Sequence, residues 1–152
     1  MNRCWTVDTC VLYDVVYGNP DAFYFLHGIT IKNDKVALDQ EKYIETEYQT
    51  CMKKIRSENK TLRDFISKWF VTIVSRCVIK YCGNLDTKHK KELKKRDFHD
   101  KDLPFVAVCA CTKDKNIVSK DSVYDKKKVR EYLLEKMGVH VLSIQDSINL
   151  CK

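Results

Sequence analysis

Short apolar runs alternate with helical patterns along this chain, and this alternation limits the possible folds more than any other feature. Four of the runs have the length and composition of β-strands: Cys4–Val7, Lys35–Leu38, Asn116–Ser119 and Val139–Ile144. Strands that alternate with helices favour a parallel sheet with helices packed on both of its faces. We therefore predict the α/β class, as a three-layer α/β/α sandwich around a central parallel sheet of four to five short strands.

The predicted helices separate these strands, and two of them have clear boundary residues. Pro20 suits the first turn of a helix, and Gly138 suits a C-terminal cap. Helical patterns cover about 9–17, a segment from Pro20 onward, 40–56, 62–75, 103–112 and 126–137. A very basic stretch occupies 87–96.

Length and composition predict one soluble domain that extends from residue 1 to residue 152, because roughly 100–200 residues make one compact core. Hydrophobic residues make up 44% of the chain and charged residues 32%, which is typical of a folded protein. No apolar run approaches the roughly 20 residues of a membrane span, and the first residues do not resemble a secretory signal. The eight cysteines include no CxxC pair, so we expect buried free thiols in a reducing cytoplasm.

The positive charge is concentrated in the middle of the chain. Residues 1–52 carry a net charge of −4, residues 53–96 carry +10 and residues 97–152 carry +1, for a total of +7. A basic segment beside an acidic one suits a protein that attracts a polyanion and gathers carboxylates elsewhere. The sequence contains neither GxGxxG nor GxxxxGK[ST], so dinucleotide-binding and P-loop functions are not expected.

An aspartate stands at or just after the end of each predicted strand. These aspartates are Asp8, Asp39, Asp121 and Asp146. The carboxyl ends of parallel strands meet at one edge of the sheet, where ligands bind. Aspartate is also a favoured helix N-cap, so any one of the four can be only a cap. Several carboxylates at one edge, however, cost stability unless a cation or protons offset their charge.

Two further acids lie in or beside predicted helices. Glu47 shares an apolar stripe with Ile44 and Tyr48, so we expect it to point inward, whereas Glu45 is expected to be solvated. An inward carboxylate needs a partner, for which a metal ion is one candidate. Asp102 precedes the most apolar helix, and its local context favours an N-cap role, which does not exclude metal binding.

Four segments resemble the motifs of PIN-domain nucleases, and together they extend over nearly the whole chain. They are WTVDTCVL at 5–12, YIETEY at 43–48, HDKDLPFVA at 99–107 and IVSKD at 117–121. The first resembles the family's opening strand and its aspartate, and the second resembles its acid followed by an aromatic residue. The third resembles its acid before an apolar helix, and the fourth its strand that ends in Thr/Ser-x-Asp. The order and spacing of the four segments carry the resemblance.

The resemblance implies a PIN-like fold with one acidic pocket. By position, its catalytic and metal-binding residues are Asp8, Glu47, Asp102 and Asp121, with Thr9 and Ser119 in support. The implied activity is hydrolysis of phosphodiester bonds, chiefly in RNA, by water that carboxylate-bound Mg²⁺ or Mn²⁺ activates. Asp8 and Asp121 are expected to bind an ion directly, while Glu47 and Asp102 hold a second ion or position water.

Two positions depart from the family pattern. Cys10 stands where the family commonly has Asn, and Val123 stands where it often has a further Asp. Asp125 could replace that Asp only if the loop were shifted. The alternative is therefore a PIN-like domain that has lost its metal site and binds RNA or a protein partner. This alternative predicts salt-sensitive RNA binding without any response to metal.

The basic residues expected to contact nucleic acid precede the third motif or follow the fourth. They are Lys88, Lys90, Lys91, Lys94, Lys95, Arg96, Lys126 and Lys127. Such contacts to phosphates supply affinity without reading the sequence, although a merely solvated basic face is the alternative. The resemblance implies RNA as partner, with DNA not excluded, and an inhibitory protein such as an antitoxin. It also implies that a homodimer is common, and no membrane association is expected.

Overall fold

Five parallel strands form the central sheet of this protein, whose computed structural model describes residues 2–55 and 59–151. The strands are β1 (Cys4–Val7), β2 (Lys35–Asp39), β3 (Val78–Tyr81), β4 (Asn116–Val118) and β5 (His140–Leu142). Their order across the sheet is β3-β2-β1-β4-β5, and every neighbouring pair is parallel. β2 and β3 therefore extend the sheet on one side of β1, and β4 and β5 extend it on the other side. The strand order reverses between β1 and β4.

Helices cover both faces of the sheet. They are α1 (Thr9–Val16), α2 (Pro20–Ile31), α3 (Tyr43–Lys54), α4 (Lys60–Arg76), α5 (Thr87–Lys94), α6 (Leu103–Cys111), α7 (Lys127–Met137) and α8 (Ile144–Cys151). Helices α1 to α4 pack against one another, α8 packs against α2, and α6 packs across β1, β2 and β4. Right-handed connections place α6 and α7 on the face opposite α1 to α4. The predicted three-layer α/β/α architecture is confirmed.

The core consists of large side chains that the sheet and the helices bury between them. Trp5 of β1 is fully buried and packs edge-on against Phe25 of α2, with ring centroids 5.1 Å apart. On the other face α6 is almost wholly apolar, and residues 105–109 are all buried. Burial of one such side chain stabilises the fold by about 1.5–3 kcal/mol. These contacts hold the strand ends, and the loops that follow them, in defined positions.

Three elements differ from the sequence prediction. β3 was not predicted, because it continues from the apolar end of α4 without a turn residue between them. α8 begins at Ile144, inside the segment predicted as the last strand. α3 begins at Tyr43 rather than near residue 40, because the Asp39 carboxylate accepts hydrogen bonds from the backbone N–H groups of Tyr43 and Ile44. Arg56, where that helix was predicted to end, lies outside the described residues.

Several smaller predictions can also be compared with the structure. α2 begins at Pro20, and Gly138 follows α7 with a φ of +68°, which glycine adopts without strain. All eight cysteines are free thiols, but Cys82 and Cys111 are exposed, so the prediction of buried cysteines is wrong for these two. Within the described residues, no helix is both long enough and apolar enough to cross a membrane.

Candidate metal centre

Three carboxylates converge at the carboxyl edge of the sheet. Asp8 directly follows β1, Asp121 follows β4, and Asp102 ends a short 3₁₀ turn that leads into α6. One carboxylate oxygen from each residue lies within 4.8 Å of the other two. The strand order reverses between β1 and β4, which is the place where open α/β sheets bind their ligands. The topology therefore brings three of the four predicted site acids together.

Ser119 connects the two strand ends that carry this site. Its hydroxyl donates a hydrogen bond of 2.6 Å to Oδ2 of Asp8 and accepts one of 3.0 Å from the backbone N–H of Asp121. The Oδ1 atom of Asp121 accepts a further hydrogen bond from Val123 N–H. Ser119 therefore orients Asp8 and fixes the loop that carries Asp121.

Asp102 is buried without full hydrogen bonding. The residue is only 4% exposed, and its Oδ2 atom has no hydrogen-bond partner among the described residues. Burial, together with the negative charges of Asp8 and Asp121, raises the pKa of the Asp102 carboxyl to about 7. Asp102 occupies the N-cap position of α6, as its local context predicts, but its side chain makes no capping hydrogen bond.

The donor set of these carboxylates fits a hard divalent cation. Burial also raises the pKa of Asp8, although the hydrogen bond from Ser119 opposes this effect. Buried carboxylates that repel one another are costly unless a positive charge compensates them. Mg²⁺ and Mn²⁺ prefer carboxylate oxygens, and Asp8, Asp102 and Asp121 supply them from one cluster. These three residues could therefore hold such an ion.

Glu47 lies near the cluster but is not part of it. Its Oε1 atom accepts a hydrogen bond of 2.9 Å from the Tyr43 hydroxyl, one turn earlier on α3. The charge of Glu47 contributes to the raised pKa of the Asp102 carboxyl, after burial and the charges of Asp8 and Asp121. The prediction that Glu45 is solvated is wrong, because its side chain is 13% exposed and lies 3.4 Å from Lys80 Nζ.

The other two aspartates after strands serve as helix caps. Asp39 is fully buried, and both of its carboxylate oxygens accept backbone N–H groups at the start of α3. Asp146 exchanges hydrogen bonds with Ser143 at the start of α8. Both oxygens of Asp39 are satisfied by backbone donors, which distinguishes this residue from Asp102.

The two departures from the family motifs have different structural consequences. Cys10 Sγ lies 3.6 Å from Ser119 Oγ and accepts a contact of 3.5 Å from Lys120 N–H, so the thiol still contacts the residue that orients Asp8. Val123 is buried, whereas Asp125 is exposed and lies 3.5 Å from Arg130. Asp125 therefore does not join the carboxylate cluster.

Two hydroxyl groups near the site also lack partners, and one belongs to a residue that sequence reasoning missed. The Tyr124 side chain is fully buried, and its hydroxyl has no hydrogen-bond partner among the described residues; the same is true of Thr9 Oγ1. Burial raises the pKa of Tyr124 well above its ordinary value, and the charges of Asp8 and Asp102 contribute. The position of Tyr124 three residues after Asp121 was the only sequence signal.

The predicted nucleic-acid-binding residues divide into two groups. Within the described residues, Lys88, Lys90 and Lys91 of α5 form no ion pair. The others contact neighbouring groups: Lys94 pairs with Asp100, Lys95 and Arg96 with Glu92, and Lys127 with Glu131, while Lys126 donates to the Asp97 carbonyl. Arg96 also lies 4.5 Å from the centre of the Tyr132 ring, so its guanidinium holds α5 against α7.

Comparison with known proteins supports the architecture. No protein-family model matches the chain, and no curated protein matches it. Among solved structures, it is similar to the crystal structure of VapBC2 from Rickettsia felis bound to a DNA fragment from its promoter. The match covers 92% of this chain and 98% of that chain, with a TM-score of 0.54 and 12% sequence identity. The fold is therefore PIN-like, as the four motifs predicted.

Proposed function

We propose that this protein is a metal-dependent nuclease that hydrolyses phosphodiester bonds, with RNA as its substrate. The observation that carries the proposal is the cluster of Asp8, Asp102 and Asp121, in which a buried carboxylate oxygen lacks a partner. Acids that serve only the fold are satisfied by backbone donors, as Asp39 is. A cluster that is costly to the fold therefore points to a cation and to chemistry on a phosphate.

The protein's own side chains have distinct parts in this chemistry. Asp8, Asp102 and Asp121 would hold the Mg²⁺ or Mn²⁺ ion, and Ser119 keeps the Asp8 carboxylate oriented through its hydrogen bond. When bound, the ion supplies Lewis-acid stabilisation of the phosphate and lowers the pKa of water. Glu47, which accepts a hydrogen bond from the Tyr43 hydroxyl, would accept a proton from the attacking water.

The substrate reaches the site along α5. Lys88, Lys90 and Lys91 have no competing ion pairs within the described residues, so their charges are available to phosphates. The other predicted basic residues, Lys94, Lys95, Arg96, Lys126 and Lys127, contribute to the local potential while they hold neighbouring elements together. Binding should therefore weaken as salt concentration rises.

We also infer an inhibitory protein partner of the antitoxin kind, which would keep such an activity from damaging its own cell. The PIN-like fold and the similarity to VapBC2 support this inference. A homodimer and a cytoplasmic location complete the proposal. The exposed thiols of Cys82 and Cys111 suit a reducing compartment.

The decisive experiment is cleavage of end-labelled RNA by purified protein, with Mn²⁺ and with EDTA. We expect cleavage only with the ion and its loss in Asp8→Asn, because that change removes a ligand of the cluster. Asp146→Asn makes the same substitution at an exposed helix cap and should remain active. Cleavage that persists in EDTA or in Asp8→Asn contradicts the proposal, and DNA of the same sequence tests the choice of RNA.

A second candidate function is a binding module that has lost its metal site. The observation that favours it is the replacement of the family's further Asp by buried Val123, which Asp125 does not compensate. This module predicts salt-sensitive RNA binding and no change in melting temperature with Mn²⁺. The nuclease predicts that Mn²⁺ raises the melting temperature of the wild type and has no effect on Asp121→Asn.

A further inference from the structure

A cavity of about 430 Å³ opens at the carboxyl ends of β2 and β3. Its walls come from the loops after these strands, from the start of α3 and from the start of α6. Two of its lining residues, Tyr43 and Pro104, neighbour residues of the candidate site. The Tyr43 hydroxyl donates to Glu47, and Pro104 lies two residues after Asp102. A ligand in this cavity would therefore adjoin whatever occupies the carboxylate cluster.

One wall of the cavity carries a carboxylate that the backbone holds in place. The Gly83 N–H donates a hydrogen bond of 2.9 Å to Oε2 of Glu41, and this bond lowers the pKa of the Glu41 carboxyl. A Cβ atom at Gly83 would lie 2.7 Å from the Asp39 Cβ and 2.9 Å from Glu41 Oε2, so only glycine permits this approach. Glu41 is consequently an ionised, oriented acceptor.

The remaining lining combines ring side chains with polar groups that have unused hydrogen-bonding capacity. Tyr43 and Pro104 present rings, while the Asn84 amide and the Lys42 ammonium make no side-chain hydrogen bond within the described residues. A nucleobase has the matching character, because its faces are apolar and its edge carries donors and acceptors. Aromatic side chains bind unpaired bases in this way, whereas a base inside a duplex cannot enter such a cavity.

We propose that this cavity binds the unpaired base next to the scissile phosphate, that Glu41 and Asn84 read its edge, and that guanine is the preferred base. The proposal rests on the proposed nuclease function for the position of the phosphate. Guanine offers two adjacent N–H donors, at N1 and N2, to a carboxylate acceptor. Uracil offers one N–H between two carbonyl oxygens, which the Glu41 carboxylate would repel. The protein would thus cleave single-stranded nucleic acid beside guanine.

Binding without metal tests this subsite separately from hydrolysis. Wild-type protein in EDTA is titrated against labelled oligouridine of roughly eight nucleotides, with and without one central guanine. We expect the guanine to increase affinity about tenfold, since a bidentate pair contributes about 1–3 kcal/mol of discrimination. Inosine in place of guanine removes the N2 donor and should lose most of the gain.

Variants identify the residues that read the base. Glu41→Gln keeps an acceptor for Gly83 but removes the charge, and it should abolish the preference for guanine; Asn84→Ala should weaken it. Asp64→Asn makes the matched acid-to-amide change at an exposed position of α4 and should retain the preference. Equal affinity for the two oligonucleotides, or a preference that survives in Glu41→Gln, overturns the subsite.

The outcome for the subsite is separable from the outcome for the nuclease. If the protein cleaves RNA with Mn²⁺ but shows no preference for guanine, the subsite is wrong and the nuclease proposal stands. If guanine-dependent binding in EDTA is lost in Glu41→Gln but no cleavage occurs with Mn²⁺, the base-binding cavity stands and the nuclease proposal is wrong.

Discussion

Asp34 and Asp102 are equally buried, each only 4% exposed, yet their surroundings differ completely. Asp34 lies at the amino edge of the sheet, where Oδ1 accepts the backbone N–H of Arg3 and Oδ2 accepts the indole N–H of Trp5. Asp102 lies at the carboxyl edge, and its Oδ2 atom has no partner within the described residues. A buried aspartate thus has hydrogen bonds to both carboxylate oxygens at one edge of the sheet, while at the other edge an equally buried aspartate has an oxygen without a partner.

The hydrogen bonds of Asp34 stabilise the fold, whereas the buried carboxylate of Asp102 is costly to it. Buried polar groups in native proteins are normally hydrogen-bonded, and an exception calls for a functional explanation. The negative charges of Asp8 and Asp121 increase the cost at Asp102, because they disfavour its ionised form. A cation would compensate all three charges, whereas Asp34 needs none.

The largest expected effect concerns activity. Asp102→Asn should reduce RNA cleavage with Mn²⁺ by at least about 100-fold, because it removes a charged ligand from the cluster. Asp34→Asn makes the same change at the opposite edge and should retain most of the activity when assayed below its melting temperature. A similar loss in both variants would contradict the division between site and scaffold.

The second effect concerns stability, and here we expect the larger loss at Asp34 rather than at Asp102. Asp34→Ala should lower the free energy of unfolding by about 3 kcal/mol, since the donors on Arg3 and Trp5 are left without acceptors. Urea denaturation of metal-free protein measures this change, and Asp102→Ala is the matched variant. If Asp102→Ala proved as destabilising as Asp34→Ala, Asp102 would have a structural role that the hydrogen bonds do not reveal.

The third effect is a stabilisation that depends on pH. The Asp102 carboxyl binds its proton more tightly when folded, with a pKa of about 7, than when unfolded. Its contribution to stability is therefore fully present below about pH 4 and is lost as the pH rises through about 7. Metal-free Asp102→Asn should consequently melt about 5 °C above wild type near pH 8, with a smaller difference near pH 5. Calorimetry in EDTA measures both differences; a constant difference across this range is inconsistent with a titrating Asp102.

The fourth effect arises from the orientation of Asp8. Ser119→Ala removes the hydrogen bond to Asp8 and should weaken Mn²⁺ binding about tenfold, as changes behind a metal ligand commonly do. Ser147 is a matched control, because it is fully buried but donates to the backbone carbonyl of Ser143, just before α8. Ser147→Ala should leave the Mn²⁺ affinity unchanged, and equal weakening in the two variants would exclude a specific role for Ser119.

The smallest effect concerns lysines, one without an ion-pair partner and one with a partner. Lys91 forms no ion pair within the described residues, whereas Lys127 lies 3.7 Å from Glu131. Lys91→Ala should reduce the salt dependence of RNA binding by about 0.7 in a plot of log affinity against log salt, with less change for Lys127→Ala. Identical slopes for wild type and Lys91→Ala would show that α5 does not contact phosphates.

The sequence predicted the architecture because the signal is local and repeated. Apolar runs at β1, β2 and β4, with helical patterns between them, required a parallel sheet. β3 was not predicted because no turn residue separates it from α4. α8 was not predicted because Ser143 and Ile144 also fit the strand-like pattern of β5.

The convergence of Asp8, Asp102 and Asp121 was predictable from the sequence, but the contacts that each carboxylate makes were not. Asp8 and Asp39 both stand at the end of a strand, and no local feature of the sequence shows that Asp8 joins the cluster while Asp39 caps a helix. The donors that satisfy Asp39 depend on where α3 begins. The contacts of Arg96 with Tyr132 and the missing partner of Tyr124 arise only when distant segments pack together. A sequence pattern does not show which buried polar groups will find hydrogen-bond partners in distant segments.

Titration with Mn²⁺, with the free ion measured by electron paramagnetic resonance, shows directly whether the three carboxylates bind a metal ion. We predict saturable binding to the wild type, retention of that binding in Asp34→Asn and its loss in Asp102→Asn. Absence of saturable binding to the wild type, or an unchanged affinity in Asp102→Asn, would contradict the claim that these three carboxylates form a metal centre.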